Sequence, residues 1–432
     1  MNNRRNFLKM SSMVGAAGLI SACGQSGGDG SDAMAQSQAI LKGKFDDLPN
    51  MMDGIAPISV AEHEARIAKA QELMAINGFE AIYLEATSNL WYYTGMRWGQ
   101  SERMAAAIIP REGEVAYIAP MFEVPRLQER IIVGDTVRGW EEHESPYRLV
   151  VSMLKDLGIE SGKIGIGEMT RFFLMDGIRK EAPYLDLQSA DPVTAECRII
   201  KSKRELELLQ HANDITIQAF KAMIPHIELG MRGSDIRRLS QEAHAGLGVT
   251  GSLGTMIGVV SSSPHGSIVE PVLEEGMIIL MDGGCNVHNY ASDITRTIVF
   301  GEHTAEQEEV WNLEKRAQAA GFEAAQLGAP MENVDIASRQ VITDAGYGPG
   351  YKTPGLPHRT GHGIGLDMHE WGNAVYGNKQ PLEPGMCFSI EPTIAIPGKF
   401  GIRLEDCCYM TEQGPNWFSN PSVAIDDPFG NN

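Results

Sequence analysis

The segments Ile278-Ile279-Leu280-Met281-Asp282-Gly283-Gly284 and Tyr290-Ala291-Ser292-Asp293-Ile294-Thr295-Arg296-Thr297 lie close together in the sequence. The first predicts an apolar strand that delivers Asp282 into a glycine turn, and the second predicts a strand that carries Asp293. In hairpin order the two carboxylates would meet, and paired buried carboxylates resist ionisation unless cations lie between them. The alternative is that Asp282 caps a turn and Asp293 pairs with Arg296. Taken alone, the hairpin favours this alternative.

A second segment contributes histidines. Gly361-His362-Gly363-Ile364-Gly365-Leu366-Asp367-Met368-His369-Glu370 is too rich in glycine to form a stable helix. His358 and His362 have the spacing of a helical zinc-protease motif, but Arg359 stands where that motif requires glutamate. The histidines therefore belong to a different kind of site, if they are functional at all, because a lone histidine is more often structural.

Two glutamates further on each end an apolar, strand-like run. Glu391 ends the run Phe388-Ser389-Ile390, and Glu405 ends the run Gly401-Ile402-Arg403-Leu404. If both face inward, their negative charge also needs a cation. The segment after residue 278 therefore carries four candidate carboxylate ligands and several histidines.

Composition limits the class of protein. The 432 residues are 43% hydrophobic, which is enough for at least one large core and favours two domains. A net charge of -20 and a pI near 5.0 argue against nucleic acid as a partner, because phosphate contacts require lysine and arginine. The six cysteines lack the spacing of a metal finger or a dense disulfide framework, and the five downstream of Cys23 are predicted to be buried and unreactive.

The first 23 residues predict an exported protein. Arg4 and Arg5 precede the apolar stretch 10–22, which is typical of a twin-arginine signal, and Ile20-Ser21-Ala22-Cys23 resembles a lipoprotein cleavage box. Cys23 would then be lipidated, residues 24–56 would form a flexible tether and lead-in, and the protein would be periplasmic or anchored to a membrane only through its lipid. The alternatives are an ordinary cleaved signal or a chance arginine pair.

The sequence from residue 57 to residue 432 predicts two domains. Residues 57–192 alternate helix and strand, beginning with a helix capped by Ser59 and Glu62, and indicate an α/β domain. Ser202 and Glu205 form a second capping box that starts a longer helix near the beginning of a domain at 193–432. Its predicted buried stripe is Leu208, Ala212, Ile215 and Ala219.

These motifs together resemble the pita-bread metallohydrolases, a family that includes creatinase, methionine aminopeptidase, prolidase and aminopeptidase P. The resemblance is closest to the prolidase and aminopeptidase P branch and covers nearly everything after Pro57, including the segments 89–95 and 198–202. It implies an α/β (α+β) fold in which a creatinase-type N-terminal domain precedes a pita-bread catalytic domain. It also implies a homodimer.

The resemblance further implies a ligand set for two divalent metal ions. The matching positions are Asp282, Asp293, His362, Glu391 and Glu405. Because four of the five are hard oxygen donors, manganese is favoured, with cobalt, iron or zinc as the other options.

The remaining roles also come from the family. His265 and His369 match histidines that stabilise the tetrahedral oxygen, Glu391 would move a proton to the leaving nitrogen, and His358 would line the leaving-group pocket. Arg403 would orient a ligand carboxylate and engage the substrate. The alternatives without a functional role are a surface turn for His265 and an exposed strand position for Arg403.

The predicted activity is hydrolysis of peptide bonds to proline, by a dipeptidase or an aminopeptidase. The proline preference comes from the resemblance alone, and Ala395 departs from it, since proline peptidases often carry a tyrosine there. Two alternatives remain: a metal-dependent hydrolase of small amides, similar to ectoine hydrolases, and a binding module without activity. The intact ligand set counts against the binding module.

Overall fold

The computed structural model describes residues 43–430, so the predicted signal and the lipidation site at Cys23 lie outside the described residues. From Phe45 onward the chain forms one unit of contacts. Within the described range, none of the helices combines the length and hydropathy that crossing a membrane would require.

The first half alternates helices and strands around one sheet. Its helices are α1 Val60–Asn77, α2 Ser88–Thr94, α3 Val124–Gln128, α4 Pro146–Asp156, α5 Phe172–Glu181 and α6 Asp191–Ile199, and a 3-10 turn spans Met121–Glu123. Its strands are β1 Phe79–Glu85, β2 Ala106–Pro110, β3 Ala116–Pro120, β4 Thr136–Trp140, β5 Gly162–Ile166 and β6 Leu185–Ser189. Helix α1 begins as predicted, because the Ser59 side chain accepts a hydrogen bond from the Glu62 N–H.

The six strands form a mixed sheet in the order β4-β3-β2-β1-β5-β6. Strand β2 is antiparallel to both of its neighbours, β1 and β3, whereas the other neighbouring strands of this sheet are parallel to one another. Side chains of the sheet such as Tyr83 and Ile108 pack with Leu154 of α4 and Ile178 of α5 in one apolar cluster. Burial of this cluster holds the helices against the sheet.

The second half contains the remaining elements. Its helices are α7 Lys203–Met223, α8 Gly233–Gly246, α9 Ala305–Ala324 and α10 Glu332–Asp344, and 3-10 turns span Ile224–His226 and Gly258–Ser262. Its strands are β7 Gly251–Ile257, β8 Ile278–Val287, β9 Tyr290–Ala291, β10 Ile294–Val299, β11 Gly361–Gly363, β12 Glu370–Ala374, β13 Cys387–Ile390, β14 Thr393–Ile396, β15 Phe400–Arg403, β16 Asp406–Thr411 and β17 Gly414–Trp417. The predicted boundary between residues 192 and 193 falls inside α6, and the division into domains stays a prediction.

The structure confirms the capping box and the buried stripe that were predicted for helix α7. The Ser202 side chain accepts from the Glu205 N–H, and the Glu205 carboxylate accepts from the Ser202 N–H. The four stripe residues predicted from the sequence are fully buried. The long helix is therefore held by the apolar face that its periodicity indicates.

Three antiparallel sheets organise the second half. Strands β10-β8-β7 form one, β12-β11-β13-β16-β17 form another, and β14 pairs with β15. The predicted pairing of the two segments is present, since β8 and β10 pair with Thr295 opposite Asp282. The predicted glycine turn after Asp282 is wrong, because β8 continues through Gly283 and Gly284 and the chain turns at His288 and Asn289. An isolated bridge between Thr295 and Glu405 then connects this hairpin to the short segment between β15 and β16.

The cysteines behave as predicted. In the part of the chain that the structure describes, all five are buried and unpaired. Burial raises the pKa of the Cys387 thiol to about 12 and also raises the pKa values of the other four. Because the thiolate is the reactive form, these groups are unreactive near neutral pH.

Candidate metal centre

Strands of the second half, and residues directly beside them, bring the five predicted ligands together. Asp282 lies in β8, Asp293 directly precedes β10, His362 is the middle residue of β11, Glu391 directly follows β13, and Glu405 separates β15 from β16. Ligand atoms of Asp282, Asp293 and Glu405 lie within 4.8 Å of one another, as do those of His362, Glu391 and Glu405. The two groups share Glu405, which is the arrangement expected of adjacent ion sites with a shared carboxylate.

The buried carboxylates of this cluster would be stabilised in their ionised form by bound cations. Asp293 and Glu405 are buried, and desolvation by burial raises the pKa of each carboxyl group well above its usual range, with further increases from neighbouring carboxylates. Glu405 Oε1 is fully buried and has no hydrogen-bond partner within the described residues. An oxygen-rich cluster with an unsatisfied buried oxygen fits hard divalent ions, so the residues present match the group that the resemblance implies.

His362 has the orientation of a ligand. Its Nδ1 lies 3.1 Å from the Gly363 carbonyl oxygen, which assigns the ring proton to that nitrogen and leaves Nε2 for coordination. His362 Nε2 lies 3.2 Å from Glu391 Oε1 and 3.7 Å from Asp293 Oδ2. Burial lowers the pKa of His362, but the hydrogen bond and the charge of Glu391 raise it. The raising contributions outweigh burial, so the pKa lies above its usual value.

The pKa of Glu391 shifts in the opposite direction, downward. Burial raises its pKa, but the hydrogen bond and charge of His362, together with the charge of Arg403, outweigh burial and lower the pKa to about 2. Glu391 is therefore ionised across the neutral range.

The glycines of this segment are required by close packing. A Cβ at Gly361 would lie 1.9 Å from the Ser389 carbonyl oxygen, and a Cβ at Gly363 would lie 1.6 Å from the Trp371 carbonyl oxygen. Any side chain at either position would push β11 away from its neighbours. The glycines thus hold the strand that carries His362 inside the sheet.

Thr295 is a site residue that the sequence reasoning missed. Its buried hydroxyl lies 2.8 Å from Asp282 Oδ1 and 2.7 Å from Glu405 Oε2. Arg403 donates from Nε to the same hydroxyl and from Nη2 to Asp282 Oδ2. Thr295 lies two residues after Asp293, and strand alternation places both on the same face, which is the signal that could have found it.

The structure decides between the two interpretations of the hairpin. The Arg296 guanidinium pairs with Asp406 at 2.7 Å rather than with Asp293, so the alternative in which Asp293 pairs with Arg296 is wrong. Asp282 contacts Thr295 and Arg403 rather than capping a turn. Asp406 is fully buried and serves as a structural partner of Arg296.

The three other predicted histidines lie around the cluster. His369 is exposed, its ring centroid is 4.1 Å from that of His362, and it groups with Asp293 and His362 within 4.8 Å. His358 Nε2 lies 2.9 Å from Thr393 Oγ1. His265 is exposed in the loop after the 3-10 turn Gly258–Ser262, so its predicted role and the surface-turn alternative are both compatible with its place.

All nine predicted site residues line one cavity of about 830 Å³. They are Asp282, Asp293, His362, Glu391, Glu405, His265, His358, His369 and Arg403. Arg403 is buried, which excludes the exposed-strand alternative for this residue. The chemical roles of the nine residues stay predictions.

Charged residues outside this cavity support the loop that carries His369. Arg198 is buried and donates from Nη1 to Asn89 at 2.9 Å and from Nη2 to Asp367 at 2.8 Å. Its Nη2 also pairs with Glu370, whose other oxygen lies 3.0 Å from Lys201 Nζ. We call Arg198, Lys201 and Glu370 the buried clamp.

The clamp connects the two halves of the chain. Glu370 Oε1 also accepts hydrogen bonds from the Leu366 and Asp367 N–H groups. Burial raises the pKa of Glu370, but the charges of Lys201 and Arg198 outweigh it and lower the pKa to about 2. Arg198 and Glu370 are separated by 172 residues along the chain, so no sequence motif links them.

Two family models match the chain. The model of metallopeptidase family M24 matches residues 207–412, and the creatinase/prolidase N-terminal domain matches residues 66–200. An uncharacterized peptidase of Staphylococcus aureus (strain USA300) is 29% identical over 338 residues, which cover 78% of this chain and 93% of the relative.

Several solved structures share the fold. Dipeptidase PepE from Mycobacterium ulcerans has 29% identity and a TM-score of 0.79, and the match covers 86% of this chain and 99% of that one. A prolidase from Thermococcus sibiricus has 29% identity and a TM-score of 0.78, with coverage of 84% and 98%. An Xaa-Pro dipeptidase from Bacillus anthracis has 25% identity and a TM-score of 0.73, with coverage of 84% and 99%.

Proposed function

The chain belongs to metallopeptidase family M24, with a creatinase/prolidase N-terminal domain ahead of its catalytic domain, and on this premise we propose that it uses two metal ions to hydrolyse X-Pro peptide bonds. The observation that carries the proposal is the pair of ligand groups that share Glu405 inside one cavity. Asp282, Asp293 and Glu405 would hold one ion, and Asp293, His362, Glu391 and Glu405 would hold the other, so Asp293 and Glu405 would serve both. Manganese is the proposed metal because carboxylate oxygens dominate the ligand set.

When bound, divalent ions would supply a water of lowered pKa and would polarise the scissile carbonyl. The chain itself supplies the proton transfers and the orientation. Glu391 accepts the proton of the attacking water and passes it to the departing nitrogen. His369 and His265 donate hydrogen bonds to the oxygen that gains charge, while Arg403 and Thr295 hold the Asp282 carboxylate in place.

A bond to proline needs a site that does not depend on an N–H at the leaving nitrogen, since this tertiary amide has none. Met256, Val260 and Pro264 contribute apolar surface to the cavity, and His358 faces the same space. Such a wall suits the proline ring. The solved prolidase and Xaa-Pro dipeptidase, which resemble this chain, support this preference. Ala395 is buried in β14, where a tyrosine was expected from the family.

The proposed activity is tested on the mature protein with manganese added or omitted. We expect metal-dependent release of proline from Ala-Pro or of the first residue from a longer X-Pro peptide, and loss of both activities in Glu405→Ala. Cleavage of small cyclic amides such as ectoine in place of peptides would support the small-amide alternative. Bound metal with no cleavage of either class would support a binding module.

We also propose export by the twin-arginine route and a lipid anchor at Cys23. Replacing Arg4 and Arg5 with lysine should retain the protein in the cytoplasm, and Cys23→Ala should release it from the membrane fraction. Unchanged fractionation of both variants would contradict these proposals. A homodimer is proposed from the family, and light scattering that gives the mass of one chain would contradict it.

A further inference from the structure

Two motifs of the sequence take no part in the proposed chemistry. The segments 89–95 and 198–202 resemble the family, but the described lining of the metal cavity includes no residue of either segment. In the structure the two segments meet, because the buried Asn89 side chain accepts from Arg198 Nη1 at 2.9 Å and donates to Glu168 at 2.7 Å. An amide held on both sides has one orientation, so the two motifs form a fixed polar contact.

This contact continues to the loop that carries His369. Arg198 Nη2 donates to Asp367 Oδ2 at 2.8 Å, and the Ser88 hydroxyl donates to Asp367 Oδ1. Ser88 and Asn89 are the first two residues of α2. One helix end of the N-terminal domain therefore holds Asp367 both directly and through Arg198. Arg198 is buried, and charge-assisted contacts of a buried guanidinium are stronger than neutral ones.

The loop presents Asp367 and His369 to different spaces. Leu366 and Asp367 line a second cavity of about 890 Å³, whereas Met368 and His369 line the metal cavity. Asp367 therefore lies outside the space that a substrate would fill, two residues before a histidine that lies inside it. The backbone that joins them transmits the position of Asp367 to the His369 ring, whose centroid is 4.1 Å from that of His362.

Resting on the proposed function, we propose that Ser88, Arg198 and Asp367 are positioning residues through which the N-terminal domain fixes His369 beside the oxygen that gains charge. This domain then contributes to catalysis without placing a side chain in the metal cavity of its own chain, whose described lining begins at Gly233. The rate depends on this placement, because a displacement of about 1 Å can cost about 100-fold. The two motifs thereby acquire a role in the reaction.

The test is kinetic and introduces Asp367→Ala into the wild type and into His369→Ala. In the wild type the substitution should lower kcat for Ala-Pro about 10- to 100-fold and change KM by less than about twofold, because Asp367 does not touch the substrate. In His369→Ala it should lower kcat by less than about twofold, since the residue that it positions is gone. Additive losses in the double variant would mean that Asp367 acts elsewhere and would overturn the proposal.

Rescue by a conservative variant and two controls complete the kinetic test. Ser88→Ala should lower kcat about 3- to 10-fold, and Ser88→Thr, which keeps the hydroxyl, should restore it. Asp186→Ala, exposed on β6 of the same domain, should keep the wild-type kcat. Every variant should retain the wild-type metal content. Loss of metal from Asp367→Ala would place its effect on the ligand His362 instead and would overturn the proposal.

Hydrogen-deuterium exchange separates this proposal from the activity. Backbone amides of residues 365–369 should exchange about tenfold faster in Asp367→Ala than in the wild type, while those of α7 should be unchanged. Ser88→Ala gives the same comparison if Asp367→Ala does not fold. Unchanged exchange of the loop would overturn the proposal. If the wild type cleaves no peptide, the proposed function fails, and the exchange measurement alone decides whether the N-terminal domain holds the loop.

Discussion

Asp282 and Thr295 face each other across the antiparallel strands β8 and β10, with the Thr295 hydroxyl 2.8 Å from Asp282 Oδ1. The same hydroxyl is 2.7 Å from Glu405 Oε2, so the short Thr295 side chain contacts two carboxylates, those of Asp282 and Glu405. A hydroxyl has a single proton, and only one of these carboxylates can accept it at a time. Arg403 Nε, 3.2 Å away, donates to the oxygen and orients it.

Thr295→Val should weaken metal binding. Valine keeps the shape but removes the hydroxyl that orients Asp282 and Glu405, and loss of such an outer partner costs about 10- to 100-fold in metal affinity. Competition with a chelator measures the affinity. Thr295→Ser retains the hydroxyl and should bind nearly as tightly as the wild type; equal weakening in both variants would instead implicate the packing of the lost methyl group.

Glu405→Gln should reduce the bound metal below two ions per chain, because Glu405 is common to both ligand groups and an amide is a weaker ligand than a carboxylate. Elemental analysis of protein dialysed against manganese gives the stoichiometry. Glu412→Gln, in the exposed turn between β16 and β17, is the matched control and should keep the wild-type content. A full complement of two ions in Glu405→Gln would refute the shared-ligand arrangement.

Glu370→Gln should destabilise the protein by about 3–5 kcal/mol near pH 7, since it leaves Arg198 and Lys201 buried without their partner. Denaturant unfolding of both proteins measures the difference. Because the clamp supports the loop that carries His369, kcat should fall more than substrate binding. Glu383→Gln is the exposed control. A stability within error of the wild type would show that the clamp is energetically neutral.

The pH dependence of the same pair of proteins provides a second check. The pKa of Glu370 is about 2 in the folded protein and near 4.5 when unfolded, so its contribution is present above pH 4.5 and is lost as the pH falls toward 2. The stability difference between wild type and Glu370→Gln should therefore shrink by about 3 kcal/mol between pH 5 and pH 2. A difference that stays constant over this interval would mean that Glu370 is not ionised in the folded protein.

Glu314→Gln should stabilise the protein by about 1–3 kcal/mol at pH 7. Glu314 is fully buried in α9, and neither carboxyl oxygen has a hydrogen-bond partner of normal geometry within the described residues. Burial raises its pKa well above the usual range, more than the charge of Arg403 and the Leu404 N–H lower it.

The sign of the pH dependence follows from that raised pKa. Folded Glu314 holds its proton, whereas the unfolded chain releases it above about pH 4.5, so its contribution to stability is lost as the pH rises toward the folded pKa. The advantage of Glu314→Gln should therefore grow between pH 5 and pH 8, as measured by thermal unfolding. Glu309→Gln, exposed on the same helix, should show no such trend. A variant less stable than the wild type at pH 7 would indicate an ionised, paired Glu314.

Local chemistry accounts for what could be predicted from the sequence. The caps at Ser59 and Ser202 use residues three positions apart, and the buried stripe of α7 follows from helical periodicity. The metal-ligand candidates were found because Asp282, Glu391 and Glu405 follow short apolar runs, His362 lies in a recognisable glycine-rich segment, and these motifs together resemble one family. By contrast, the alternative that paired Arg296 with Asp293 rests on closeness along the chain and is wrong, since the partner of Arg296 is Asp406, 110 residues away.

The amino-acid sequence by itself determined the types of ligand, the order of the two halves and the elements that carry the site, because these depend on short segments and their periodicity. Only the tertiary structure decided that Thr295 joins Asp282 to Glu405 and that Arg198 reaches Glu370. These relationships arise from strand pairing and domain packing, which bring together side chains separated by up to 172 residues. No local pattern encodes such distances, since contact at that range is set by the burial of whole elements against one another.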